Sequence, residues 1–506
     1  MPKKGVIAGL IAGFVMVCMG GQASAQLTVS SGSTSGVTCT SGVCTTTTAK
    51  ATLNVTQLQN LLASTNVQLK PGSLSQDIII AAQLFWASTH SLTLDGYRSV
   101  TINKSIQVTG NGSLTMTTND GGTGGAITYD LKASVTFMSL SSGLTINGAT
   151  FALKKDIASL ASAIATSPSG NFALANDYNA KPDGTYTTNP IPTAFMGTFD
   201  GLNNTISNFK LDVSTGQKAG LFAELGFEGT IGHINLTKVN VNGSGRDMND
   251  VGGLIAATDG GDVSYVSVSG KVSGTGPAGT GGVVGNNSAT IDHARSSAKI
   301  SGVLAGSLIG DNFALVTDSS ASGSVKTIAS TDTRDIGGLV GDNNGGTIQR
   351  SFAIGSVSGG KAISNAGGLV GENGGAIADC YATGTVDANQ QITGGLTGSN
   401  FGTIDRSYSS GAVKGNNGTT LGGFIGWDFT QGLNGTLTFD YWDTTTSGVT
   451  NLSQGAGNPP NDKGITGLSD AALKSGLPSG FDKTVWAEDS KINGGLPYLI
   501  GNPPTK

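Results

Sequence analysis

Charge is scarce in this chain. Asp, Glu, Lys and Arg supply 12% of its 506 residues, about half the share usual in a globular domain. Aromatic residues are few at 6%, and the three histidines, His90, His233 and His293, lie far apart. None has a cysteine or carboxylate at metal-ligand spacing, so the sequence offers no metal centre. Long helical periodicities are nearly absent, which excludes a compact α/β enzyme. No Gly-Lys-Ser/Thr tripeptide occurs, so the abundant glycine does not form a phosphate-binding loop. Nothing points to a cofactor or a catalytic constellation. The formal net charge is −5, which argues against nucleic acid and anionic membranes as partners.

What is there is glycine, 80 residues of it, set among Ser, Thr, Asn, Val and Ile. The chain is too apolar for disorder, and its glycine lacks the three-residue period of collagen. Residues 1–25 read as a secretory signal peptide. Lys3 and Lys4 precede the apolar run Val6–Met19, and Ala23-Ser24-Ala25 forms the cleavage site. That run is shorter than the ~20 residues a membrane span needs, so the expectation is an exported protein that does not span the membrane. Cleavage after Ala25 removes Lys3 and Lys4, taking the charge from −5 to −7, and it removes Cys18. Of the remaining cysteines, Cys39 and Cys44 bracket a short Ser/Thr-rich turn and are expected to form a disulfide. Cys380 stands alone.

Self-comparison reveals a repeat. A Gly-Gly-aliphatic start recurs at Gly252, Gly281, Gly337, Gly367 and Gly394, with variants at Ala219, Gly306 and Gly422; the intervals are 33, 29, 25, 31, 30, 27 and 28 residues. Within each unit an aliphatic residue is followed at +3 by a compact one, at +7 usually by Gly and at +9 by Val or Ile, as in Ile348/Ser351/Gly355/Val357. Short β-prone runs separated by glycine bury their apolar faces only when stacked. The predicted fold is therefore all-β: a right-handed parallel β-helix with short decorating helices and end caps. The glycines are read as corners where positive φ is needed. Asn287, Asn312, Asn343, Asn373 and Asn400 also recur in register, with Asp428 in the last unit, and are read as a structural column. Strict alternation would place Arg350 in the core, so a bend is expected there.

The consensus GGLVGxNxGxIxxSYAxGxV resembles the GLUG motif of bacterial surface and secreted proteins. "GTFDGLNNTISNFKL" (Gly197–Leu211), "LTINGATFAL" (Leu144–Leu153), "SGNFALANDYNA" (Ser169–Ala180) and "INGGLPYL" (Ile492–Leu499) are similar to segments of adhesins resembling filamentous haemagglutinin. The resemblance implies a β-helical surface or secreted protein with an adhesive role and no catalytic site to carry over. The expected organisation is a signal peptide (1–25), a Ser/Thr-rich segment (26–50), irregular rungs extending the same stack (51–143), a connecting segment with a helix (144–218), the GLUG-repeat β-helix (219–443) and a C-terminal cap (444–506). Short helices are expected in Gln57–Ser64, over the open N-terminal end, and in Lys154–Ala165.

Among functional candidates, Asp440, Tyr441, Trp442 and Asp443 combine paired carboxylates with rings that stack on sugars, as polysaccharide hydrolysis requires. The same residues fall on the repeat columns at the last coil, where aromatics seal a core. Cys380 replaces the small +3 residue and is read as a packing thiol. The connectors Asn242–Val251, Lys271–Thr280 and Lys326–Ile336 vary most in length, and in a solenoid such insertions gather on one edge. That edge is the expected contact surface. The expectation is an adhesin binding a host or neighbouring cell surface, glycan or matrix, with an outer-membrane secretion partner. A polysaccharide hydrolase or lyase on the same scaffold and a passive structural or periplasmic spacer are the alternatives.

Overall fold

The computed structural model describes residues 25–214, 216, 218–245, 250–328, 335–359, 365–388, 392–415, 420–430 and 436–504. Residues 1–24 of the expected signal peptide, Cys18 included, lie outside them. Short strands dominate, and they stack into a parallel β-solenoid of about fifteen turns. Each apolar residue pointing inward lies over its counterpart one rung away, removing both from water. Burial of one such Val, Leu or Ile is worth about 1.5–3 kcal/mol, so the stack holds although no single rung would.

The rungs form two coils, not one. In the first, three faces repeat: Asp77–Ile80, Leu84–Trp86 and Ser91–Asp95 are followed in register by Val100–Ile102, Ile106–Val108 and Ser113–Thr117. Its core contains Ile78, Trp86, Leu94, Ile106, Met116 and Phe137. Helix α1 (Val55–Leu62) starts where Asn54 accepts hydrogen bonds from the backbone of Thr56 and Gln57, and it buries Leu58 and Leu62. The hairpin Val37–Thr40/Val43–Thr46 extends one sheet of this coil through Val43 and Cys44.

The two coils meet at a reversal. Leu144–Ile146 pairs antiparallel with Ala149–Lys154, and all later rungs run opposite to the earlier ones. On the next strand, Ala173 faces the first core while Phe172 and Leu174 face the second. Strand direction and inward side thus invert together, and the coil keeps its hand. Residues 51–143 therefore belong to a coil with its own core instead of extending one continuous stack. The seam is sealed by backbone bonds from Val135 and Phe137 to Leu202 and Ala175, 3.0 and 2.8 Å. The buried Asn204 Nδ2 donates to the Val135 and Leu174 carbonyls, both at 2.9 Å. Helix α2 (Ile157–Thr166) opens with an Asp156/Ser159 capping box and adds Ile157, Leu160 and Ile164 to the second core.

Each turn of the second coil has four faces. In one turn these are Ile336–Gly337, then Val340–Asn343, then Thr347–Gln349, then the two short pieces Phe352–Ala353 and Val357–Gly359. Glycine's role here differs from the expected corner. Gly337 and Gly338 are absent from the positive-φ residues. A Cβ on Gly338 would lie 2.0 Å from the Gly368 carbonyl oxygen, and one on Gly337 only 1.9 Å from that of Val340. The pair is glycine because adjacent backbones approach closely, not because φ is positive.

The chain beyond Leu468 does not sit over the end of the coil. It runs back along the fourth face, where Leu473, Phe481, Trp486, Leu496 and Leu499 cover Phe352, Tyr381, Tyr408 and Tyr441. Phe352, Tyr381 and Tyr408 stack at 4.7 and 5.2 Å with nearly parallel rings. This strap reaches rungs far from the C-terminal end: Asn502 Nδ2 donates to the Ser319 carbonyl at 3.0 Å.

Candidate functional site

The asparagine column is a continuous ladder. Asn287, Asn312, Asn343 and Asn373 each donate Nδ2 to Oδ1 of the next asparagine at 2.8 Å, and Asn400 donates to Asp428 at the same distance. All six side chains are fully buried. The second Nδ2 hydrogen goes to a carbonyl two or three residues on in the same rung, as from Asn312 to Ala314 at 2.9 Å. An amide both donates and accepts, so this polar column inside an apolar core leaves neither end of each link unmet. At its foot Asp428 accepts from Thr430 and is the carboxylate neighbour of Asp462. Burial and that carboxylate neighbour push the Asp462 carboxyl up to about 7.

Asp440, Tyr441, Trp442 and Asp443 form one strand on which all four residues are buried. Trp442 belongs to the coil core and its indole donates to the Val449 carbonyl at 3.1 Å. Asp443 accepts from the backbone of Thr445 and Thr446, shaping a turn. Asp440 completes the +3 column. Ser319, Ser351 and Ser407 each accept from the backbone of the preceding rung at 3.0–3.1 Å, and Asp440 does the same for Ser407 at 3.0 Å. Burial holds the Asp440 carboxyl well above the usual carboxylate range. The carboxylates and rings are used internally and present no open face to a sugar. Cys380 fills the same column, fully buried, with its thiol 3.2 Å from the Ala378 carbonyl. Burial raises its pKa, so the thiol stays protonated.

Cys39 and Cys44 are disulfide-bonded across the N-terminal hairpin, where they face each other in register. Among the described residues, no group of three or more His, Cys, Asp and Glu is placed to hold a metal ion. No described helix is long and apolar enough to cross a membrane.

A second column went unread in the sequence. Between the third and fourth faces, each turn places a non-glycine residue in the left-handed region: His233, Tyr265, His293, Asp318, Arg350, Asp379, Arg406 and Phe439, with φ between 45 and 56°. This is the bend expected at Arg350, repeated on every rung. L-residues pay roughly 1–2 kcal/mol for that conformation, and here neighbouring rungs offset it through their side chains. Tyr265 stacks between His233 and His293 at 5.2 and 4.7 Å. Arg350 pairs with Asp318 at 2.7 Å and Arg406 with Asp379 at 3.0 Å. The strap adds Trp486, whose indole donates to Asp379 at 3.0 Å. The sequence signal was a bulky or charged residue two places after each aliphatic anchor, as at Ile348 and Arg350.

Length varies most often at one edge, between the fourth face and the first; the step from the second face to the third spans two to four residues until the last turn, where it takes residues 429–436. The step from the first to the second face always spans two residues, as from Gly337 to Val340 or Gly367 to Val370. The step from the fourth face back to the first ranges from Val303 alone to residues 328–335. The three variable connectors lie on this edge; of them, residues 246–249 and 329–334 fall outside the described residues.

Comparison with known proteins fits this geometry. Residues 363–387 match the family model for the GLUG motif, and the match spans almost one turn, from Asn365–Gly367 to Val386–Ala388. A segment of 138 residues is 35% identical to halomucin of Haloquadratum walsbyi; it is 25% of this chain and covers 1% of that protein's length. A solved structure of an immunoglobulin A1 protease candidate from Bacteroides ovatus is 16% identical over 70% of this chain and 92% of its own, with a TM-score of 0.38. At that level of agreement nothing about function follows from it. The chain carries a GLUG motif whose repeating unit is one turn of a parallel β-solenoid.

Proposed function

We propose that this is an exported, surface-exposed β-helical protein that attaches to cells, glycans or matrix, with the solenoid as a rigid stalk and its variable edge as the contact surface. The observation carrying this reading is that length changes from turn to turn at the edge between the fourth face and the first, while the step from the first face to the second is fixed at two residues. Backbone insertions there leave every core column intact, so that edge tolerates change while the scaffold stays fixed. The GLUG match and the resemblance of a segment to halomucin support an exported setting. The carboxylates most suggestive of hydrolysis are buried, Asp440 in the +3 column and Asp443 at a turn, which favours attachment over catalysis.

The test is protease accessibility of the second coil on intact cells, followed with an antibody to residues after Gly197 and a periplasmic protein as control. Loss of signal on intact cells, together with cell or glycan attachment that disappears when residues 244–249, 275–278 and 328–335 between the fourth face and the first are changed to alanine, is the expected outcome. Protection until the outer membrane is opened would overturn the surface reading.

A further inference from the structure

The fourth face of the second coil carries a trough of about 610 Å³ lined by Thr185, Lys210, Asn240, Lys271, Lys299 and neighbouring residues. Its floor is the buried pair Leu211 and Val272, and its two walls are columns of outward side chains. In one column Lys210, Asn240, Lys271 and Lys299 follow each other in strict register. In the other, Asp212, Asn242, Ser273 and Ser301 do so, with Lys326 next in line. The lysines are exposed, and none is in an ion pair among the described residues. Asp212, the one acid in the trough, instead accepts from Asn242 at 2.8 Å.

Two features of this trough call for a ligand. Lys271 and Lys299 are in-register neighbours on adjacent strands, an arrangement that repels unless an anion lies between or over them. The trough is also a basic stripe on a protein whose formal net charge is −5. Building on the reading of the protein as a glycan-attaching surface molecule, we propose that the trough binds a linear acidic polysaccharide of the polyuronate class, laid along the stack. Strands pair at about 4.8 Å, which puts Lys210 and Lys271, two rungs apart, at roughly 10 Å and Lys299 one rung further on, a row of cations along which the carboxylates of a linear chain can lie. The Asn, Ser and Thr side chains between them supply donors and acceptors for sugar hydroxyls. Nucleic acid fits less well: the walls offer neither aromatic rings to stack on unpaired bases nor Arg forks for phosphate. An acidic peptide adding as a strand needs an open sheet edge, and this is a sheet face.

The experiment uses residues 26–506, with polygalacturonate as the probe and neutral dextran and duplex DNA as comparators, titrated by calorimetry at low and physiological salt. The unaltered protein is expected to bind polygalacturonate over dextran, with affinity falling as salt rises. Lys271→Gln/Lys299→Gln is expected to weaken that binding by at least about tenfold and to flatten its salt dependence, since two charge contacts are lost. Lys483→Gln on the strap is expected to leave it unchanged. All three lysines are exposed, and circular dichroism checks that each variant is folded. Equal binding of dextran, tighter binding of DNA, or a double variant that binds polygalacturonate as the unaltered protein does would each overturn the proposal. Cell attachment retained in a double variant with unaltered polygalacturonate binding would sink the trough and leave the attachment reading standing. Lysine-dependent polygalacturonate binding without any surface exposure on cells would do the reverse.

Discussion

Asn343 sits in the middle of the buried ladder, accepting from Asn312 and donating to Asn373, both at 2.8 Å. Asn343→Ala removes both links and leaves buried amide groups without partners, so a loss of about 2–4 kcal/mol is expected in urea unfolding. Asn344→Ala, one residue on and exposed, should change stability by no more than about 0.5 kcal/mol. Equal effects would show that the ladder is ornamental. The foot of the ladder has its own pH dependence. The folded protein holds the Asp462 proton up to about 7, through burial and the Asp428 carboxylate, against an ordinary 3.8. The unfolded chain releases that proton earlier, so this contribution is full below about pH 4 and is lost as pH rises through 7. The stability of Asp462→Asn relative to the unaltered protein should therefore increase between pH 4 and 8. A difference that does not vary with pH would refute this.

At the scale of the element, the repeat was legible because its anchors recur at fixed spacing. Ile348, Ser351 and Val357 point inward or cap a neighbouring rung, and their counterparts in other turns do the same. The ladder asparagines were equally plain, since one residue type recurs at one place. The left-handed corner was not legible as a column, because His, Tyr, Asp, Arg and Phe share no chemistry that alignment by type would reveal. They share only φ, imposed by the turn between two faces. The Gly-Gly pair misled in the opposite sense. Glycine suggests positive φ, and only the stacked neighbour shows that the constraint is a carbonyl 2.0 Å from where a Cβ would stand at Gly338.

For the whole molecule, the coil and the strap should respond separately. Solenoid stability is approximately a sum over neighbouring rungs, whereas the strap depends on its grip on the fourth face. Trp486 packs 6.0 Å from both Tyr381 and Tyr408 and bonds to Asp379. Trp486→Ala is expected to cost about 3–5 kcal/mol at this contact. Hydrogen exchange should rise throughout residues 476–502 while the first coil, residues 77–146, keeps its protection. Faster exchange in both would mean that the strap is part of one cooperative unit.

The sequence by itself determined the parallel solenoid, the length of its unit, the ladder and the pairing of Cys39 with Cys44, since each rests on spacing along the chain. The reversal between the two coils, the strap along the flank, the internal use of Asp440 and Asp443 and the lysine trough were decided only by tertiary structure. The physical reason is the same for all four. Each depends on which rungs become neighbours, and stacking brings together residues such as Lys271 and Lys299, or Ser319 and Asn502, whose separation along the chain says nothing of their contact.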